Sequence, residues 1–356
     1  MPPCRQPVGR SDFFKTWFWR PARPHGDTII DRRVSPLELL YDLVCVAVIS
    51  QAGHNLAQHV SLIGLADFGV VFSLTWIART NGSLYLELHG RSDGRTRAYV
   101  FVQMGIVAIL AVFAGEAGNG GGAAFAITYA AFLAVMTWLW YTVRRQDVIQ
   151  PPELLVDTGR YVVAMAVSVA VMAASAFLTA DTRLLVWAVL VAGWMVVPVL
   201  MGRSRIGLSR GMTPTDSLVE RFGTFTIIVL GEVVFGVVNA LSLTDHDIRT
   251  ISTGMIALVV GFGFWWIYFD VVGGRLPKSD DRALANWILG HHPVALSIAA
   301  AGAGMVSPIQ HAHNASTPAA TAWLLSAAVA VGLIALILTS RALADANRLA
   351  RRLPTH

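Results

Sequence analysis

A chain of 356 residues, 55% hydrophobic and only 14% charged, is not an ordinary soluble domain, in which roughly a quarter of residues are charged. Its mean hydropathy of +0.58 and its recurring apolar runs of about 20 residues define a polytopic membrane protein. The net charge of +5 invites a nucleic-acid reading, which the placement of the basic residues excludes.

The runs do not alternate apolar with polar residues, so the spans are helices and not barrel strands. The expected fold is an all-α membrane bundle. The two cysteines, Cys4 and Cys45, lie in a polar tail and in the first span, which argues against a disulfide framework.

Residues 1–33 form a basic tail with Pro at positions 2, 3, 7, 21 and 24. No apolar stretch closely follows its early arginines, so no cleavable signal is expected. Phe13, Phe14, Trp17, Phe18 and Trp19 beside Lys15 and Arg20 read either as an interfacial segment or as a solvated tail. A transmembrane domain follows over 34–341, and a second basic tail over 342–356. Hydropathy places ten spans at 37–58, 62–88, 98–115, 122–143, 158–179, 183–201, 217–241, 250–273, 286–306 and 319–341. The sixth is short, with Pro198 near its end, and the ninth is weak, being rich in Ala and Gly and holding His291, His292 and Pro293.

Ten spans put both tails and the even-numbered connections on one side. That side carries all but five of the 27 basic residues; Arg183 and Arg249 lie opposite, and Arg79, Arg160 and Arg221 lie in spans or at their ends. The asymmetry predicts a multi-pass plasma-membrane protein with both termini cytoplasmic. It also accounts for the net charge without a nucleic-acid partner. The opposite side holds the Gly118–Gly122 loop, read as a flexible connector, and an Asn314-Ala315-Ser316 sequon.

The first span opens on Ser35-Pro36-Leu37-Glu38, and Asp42 follows one turn later on the same face. One reading is a capping box with Pro at the first helical position, in which the acids orient the helix. The other is that Asp42 pairs with a cation or takes a proton. Arg79, in the inner half of the second span, is its natural partner, because a buried arginine requires something negative. Glu87 and His89 end the second span.

The seventh span starts at Asp216, Glu220 and Arg221 and carries Glu232 near mid-membrane, flanked by Gly231 and Gly236. An acid at that depth is a functional candidate by default, although a buried structural pair or a neutral acid is the alternative. Asp270 ends the eighth span behind Trp265, Trp266 and Tyr268. Adjacent histidines point apart on a helix, so His291 and His292 make a poor metal pair. His311 and His313 have no companion ligand in their loop. No nucleotide fingerprint, catalytic triad or cofactor motif stands out, so neither an enzyme nor a cofactor is expected.

Glu38 and Glu220 each open a span, 182 residues apart. Leu84-Tyr85-Leu86-Glu87 matches Ile267-Tyr268-Phe269-Asp270 at nearly the same offset, and Gly90-Arg91 matches Gly274-Arg275. These agreements predict a parallel repeat with halves 34–182 and 216–341, joined by a linking helix 183–201. Transporters use such repeats, with sites near the interface between them.

Two blocks carry a family resemblance. Val34-Ser35-Pro36-Leu37-Glu38-Leu39-Leu40-Tyr41-Asp42-Leu43-Val44-Cys45-Val46 and Glu220-Arg221-Phe222-Gly223-Thr224-Phe225-Thr226-Ile227-Ile228-Val229-Leu230-Gly231-Glu232 resemble the bacterial low temperature requirement protein A (LtrA) family. Weaker agreement covers Gln103-Met104, Trp265 to Asp270 and Gly302 to Gly304. Leu40, Tyr41, Cys45 and Thr224 depart from the usual pattern, and none of them is a charged position. The resemblance implies a membrane fold, a set of charged positions and a role in growth in the cold, but no substrate.

The residues point first to a transporter or permease of a small solute or ion that uses Asp42, Arg79, Glu232, Glu87 and Asp270, with Glu38, Glu220 and Arg221 as structural charges. The competing reading is a non-transporting membrane protein with a lipid-interacting or assembly role in the cold. Membrane lipids are the expected partners, with an unidentified solute or ion; the sequence specifies no oligomeric state.

Overall fold

The computed structural model describes residues 34–58, 60–91, 93–146, 152–201, 214–313 and 317–345, with backbone alone for 146, 152–157 and 197–201. The aromatic segment at 13–20 and the sequon at 314–316 lie outside these residues. Ten helices follow in chain order: α1 (Pro36–Gln58), α2 (Leu62–His89), α3 (Gly94–Ala114), α4 (Gly122–Gln146), α5 (Pro152–Ser175), α6 (Ala180–Met201), α7 (Asp216–Ser242), α8 (Ile248–Val271), α9 (Asp281–Gln310) and α10 (Ala319–Ser340). Nine of them, all but α6, are long and apolar enough among their described residues to cross a membrane.

Several helices begin outside the apolar run that marks them. Asp93 accepts a hydrogen bond from the Thr96 N–H at 2.9 Å and starts α3 before residue 98. Asp280 accepts from the Ala283 N–H at 2.8 Å and starts α9 at 281, not 286. Caps set the helix and hydropathy sets the membrane, so the two boundaries differ by about a turn.

A span that reads as weak in the sequence is the centre of the bundle. α9 runs unbroken through Pro293 and Pro308 and packs against α1, α2, α6, α7, α8 and α10. Its Ala and Gly residues, which dilute its hydropathy, let neighbours approach closely. A Cβ on Gly302 would lie 2.8 Å from a methyl of Val233 on α7.

Around this axis α1 packs on α2 and α3, as α7 packs on α8 and α9. α3 packs on α4 as α9 does on α10, while α5 and α6 pack together, with α6 also against α2. The outer surface is apolar, with Val112, Ile127, Phe235, Val259 and Ile334 all more than half exposed.

Two connections are held by hydrogen bonds. The Gly118–Gly122 loop is a bonded turn and not a flexible connector: Asn119 and Gly121 donate backbone N–H groups to the Glu116 carbonyl, and buried Arg183 donates to Asn119 O at 3.2 Å. The α8–α9 connection is tied to the segment after α10. Lys278 N–H donates to Ala342 O, Ala344 N–H to Leu276 O, and Arg275 pairs with Asp345 at 2.6 Å.

Candidate functional site

The site assembles where the starts of α1 and α7 meet the end of α2. On α1, the Ser35 hydroxyl donates to Glu38 Oε1 at 3.0 Å, and the Glu38 N–H donates back to Ser35 O at 2.9 Å. This fixes Glu38 in the first turn and places Asp42 above it. α2 presents Arg79, the Ser83 carbonyl and Glu87 four residues apart, on one face. On α7, Thr215 caps the helix by accepting from the Leu218 N–H, and Ser217, Arg221, Phe222 and Phe225 follow.

Arg79 is fully enclosed. Its Nε donates to Asp42 Oδ1 and its Nη2 to Asp42 Oδ2, both at 2.9 Å. Nη2 also donates to the Arg221 carbonyl at 2.6 Å. The guanidinium lies 4.6 Å from the Phe225 ring centroid and 5.2 Å from that of Phe222. A planar guanidinium suits both tasks, matching the carboxylate with two parallel bonds and resting on aromatic faces.

Arg221 builds the second half. It meets Glu38 Oε2 at 2.8 Å and Glu87 Oε2 at 3.3 Å, and donates to Ser83 O at 2.9 Å. Glu87 accepts further bonds from the Thr215 hydroxyl at 2.7 Å and the Ser217 hydroxyl at 3.1 Å. Three carboxylates and two guanidiniums thus join α1, α2 and α7. Fully ionised, the group carries one excess negative charge.

A neutral layer adjoins it. His291 Nδ1 lies 2.7 Å from Trp287 O, so this nitrogen carries the proton and donates it. Nε2 is then the acceptor for the Tyr268 hydroxyl at 3.2 Å. Phe222 touches the His291 ring, with centroids 4.9 Å apart, and also underlies Arg79. His292 points away, to the Ser73 hydroxyl at 2.9 Å.

The sequence-derived candidates divide. Asp42, Arg79 and Glu87 are brought together. Arg221 and Glu38, expected as structural charges, belong to the same network, and Arg221 is its hub. Glu232 does not reach Arg79. It stands three helical turns beyond Arg221, half-buried, against Ser50 of α1. Asp270 is exposed and accepts from Trp266 Nε1 at 2.7 Å. It lies two positions after Tyr268, so when Tyr268 faces α9 the acid faces outward. Glu220 is also exposed and accepts from the Val34 N–H at 3.3 Å; the cap of α7 is Thr215. Glu38 and Glu220 therefore share sequence register but not structural role.

Sequence reasoning passed over Tyr268, Phe222, Phe225 and the non-metal role of His291. Their signal was weak: aromatics in a membrane helix read first as belt residues. Among the described residues, no group of three or more His, Cys, Asp or Glu side chains is placed to hold a metal ion.

Ten helices with an apolar exterior and charges gathered inside define an integral, multi-pass membrane protein. Residues 33–353 match the family model described as bacterial low temperature requirement A protein (LtrA), and the chain belongs to that family. Neither a curated protein nor a solved structure matches the chain.

Proposed function

We propose that the chain is a transporter of a small solute or ion, and that the seam between α1 and α7 is its path. The observation that carries this reading is the asymmetry of that seam. At the arginine-rich end it is closed by Asp42–Arg79 and by Glu38, Glu87 and Arg221. Further along, the carboxyl of Glu232 stands half-buried beside Ser50. Exposed His54 on α1 and exposed Asn239 on α7 lie beyond it, in an otherwise apolar surface. Lipid is a poor surrounding for such a set, and water or a polar solute is a good one.

In this reading the arginine-rich end faces the cytoplasm of the cell that carries the protein in its plasma membrane. A solute or cation reaches Glu232 from the opposite side, and the ion pairs keep the inner end shut. Breaking Asp42–Arg79 or Glu38–Arg221 would loosen α1 from α7. The recurrence of the same helix partnering around α1 and α7 supports movement of one four-helix set against the other. No catalytic step is assigned.

A second reading rests on a different observation. Arg79 and Asp42 are both buried, as in a purely structural staple of a membrane protein needed in the cold. Flux of protons and small cations into proteoliposomes separates the two. Glu232→Gln is expected to abolish flux with folded yield unchanged. Unchanged flux in this variant, or a collapse of yield without a flux defect, would favour the structural reading.

A further inference from the structure

A pocket lies apart from the charge network. It opens at the arginine-rich end between α2, α3 and α4, and its walls include Tyr85, His89, Arg91, Arg95, Tyr99 and Gln103. We propose that it is a binding site for a phosphate group, carried either by an anionic lipid headgroup or by free phosphate.

Three features support this chemistry. The walls carry two arginines against one acid, Asp93, and Asp93 is occupied in capping α3 through the Thr96 N–H. Arg95 is held in place, donating to the Thr142 hydroxyl at 3.1 Å and lying over the Tyr99 ring. The Nε of Arg91 is enclosed and has no hydrogen-bond partner among the described residues. A buried donor left unmade costs about 1–3 kcal/mol, more for a charged group, so this donor favours an acceptor brought by a guest.

The floor gives the second, independent sign. Gly82 lines the pocket, and a Cβ there would lie 3.4 Å from the Tyr41 hydroxyl and 3.7 Å from Gln103 Oε1. Tyr41 is only 4% exposed, and its hydroxyl makes no hydrogen bond among the described residues. The buried Tyr41 hydroxyl therefore stands behind a floor with no side chain, under a mouth lined by arginines. The space inside is narrow, little more than a water molecule. A guest therefore inserts one oxygen and leaves its body at the mouth. A phosphate at the membrane surface meets that condition, since arginine matches its oxygens in pairs. Basic pockets between membrane helices bind anionic headgroups on the same grounds.

The test uses the full chain purified in neutral detergent. Thermal unfolding is followed with added phosphatidylglycerol, with phosphatidylcholine, and with inorganic phosphate against chloride at equal ionic strength. The proposal expects a Tm rise of several degrees with phosphatidylglycerol or with phosphate, and none with phosphatidylcholine or chloride. A rise with phosphatidylglycerol alone assigns the headgroup; a rise with phosphate alone assigns the free anion. Arg91→Gln is expected to lower the apparent affinity about tenfold or more, the loss of one charge-assisted hydrogen bond. Arg145→Gln, an exposed arginine at the same end, is expected to change it little. Should Arg91→Gln fold poorly, Gly82→Ala serves instead, since its methyl meets neighbours at ordinary contact distances while filling the floor. Equal Tm shifts in wild type, Arg91→Gln and Gly82→Ala, or no shift with either phosphate source, would overturn the proposal.

Discussion

The two ends of the α1–α7 seam solve opposite problems with the same residue types. Near the start of both helices, acids and arginines are buried together and nearly every charge meets its opposite. Two to three turns further in, Glu232 is half-buried beside Ser50. The difference teaches where cost is tolerated. A paired network with two arginines binds helices together tightly but resists change, because removing any member strands the others. A lone acid with an open flank contributes little to holding α1 on α7, yet it remains available to something that arrives from outside.

The sharpest way to break the comparison is to unpair the closed end. Asp42→Asn leaves Arg79 buried without its carboxylate, and loss of a buried partner costs about 3–5 kcal/mol. Folded yield and Tm should fall more than for any other single change in the seam. The double variant Asp42→Leu with Arg79→Met should recover most of that stability, since apolar replacements of buried pairs are often neutral or better. If the double variant is as stable as wild type and still supports flux, the ion pair is neither a lock nor a path element.

Arg221→Met comes next. It releases Glu38 and Glu87 together but leaves Thr215 and Ser217 to satisfy Glu87, so its cost should be somewhat smaller, about 2–4 kcal/mol. Cys45 gives a direct reading of it. This thiol is fully buried one turn above Asp42. In a Cys4→Ser background it should resist a membrane-impermeant maleimide in the wild type and become labelled in Arg221→Met. Protection unchanged in the variant would mean that the seam stays shut without its hub.

Glu232→Gln should barely touch stability, by less than about 1 kcal/mol, because it removes no arginine partner. A Tm drop as large as that of Asp42→Asn would erase the difference between the two ends. It would show Glu232 to be a structural charge.

How much of this was legible beforehand follows from what each residue must satisfy. Asp42–Arg79 could be read from sequence because a buried arginine demands an acid, and one acid lay at matching depth on the neighbouring span. Glu87 could be named, but not its partner. Arg221 lies at the end of a span, where an arginine normally reaches water; only the packing of α7 on α2 turns it inward. Asp270 and Glu220 were misjudged for the same reason. Sequence gives depth along a helix accurately and direction around it poorly when no polar face marks one side. The central place of α9 was hidden because hydropathy rewards large side chains, whereas close packing rewards small ones.

The smallest expected effect lies at the far end of the bundle, where charges are exposed and should behave locally. Asp247 caps α8, accepting from the Thr250 N–H at 2.9 Å, and pairs with His313 at 3.3 Å. Hydrogen bonds from Thr250 hold its carboxyl below the ordinary carboxylate range, with a lesser contribution from His313. A carboxyl lowered by folding contributes its stability above its unfolded pKa, about 3.9, and loses it as pH falls through the lower folded value. Amide exchange in the first turn of α8 should therefore stay slow from pH 7 to about 5, relative to intrinsic rates, and lose protection only below the ordinary carboxylate range. Asp247→Ala should remove that protection at every pH while leaving Tm almost unchanged, because the cap is solvated and borders no other charge cluster. A Tm loss in Asp247→Ala comparable to that of Arg221→Met would mean that the open end is also held by its charges. The contrast between a locked end and an accessible one would then fail.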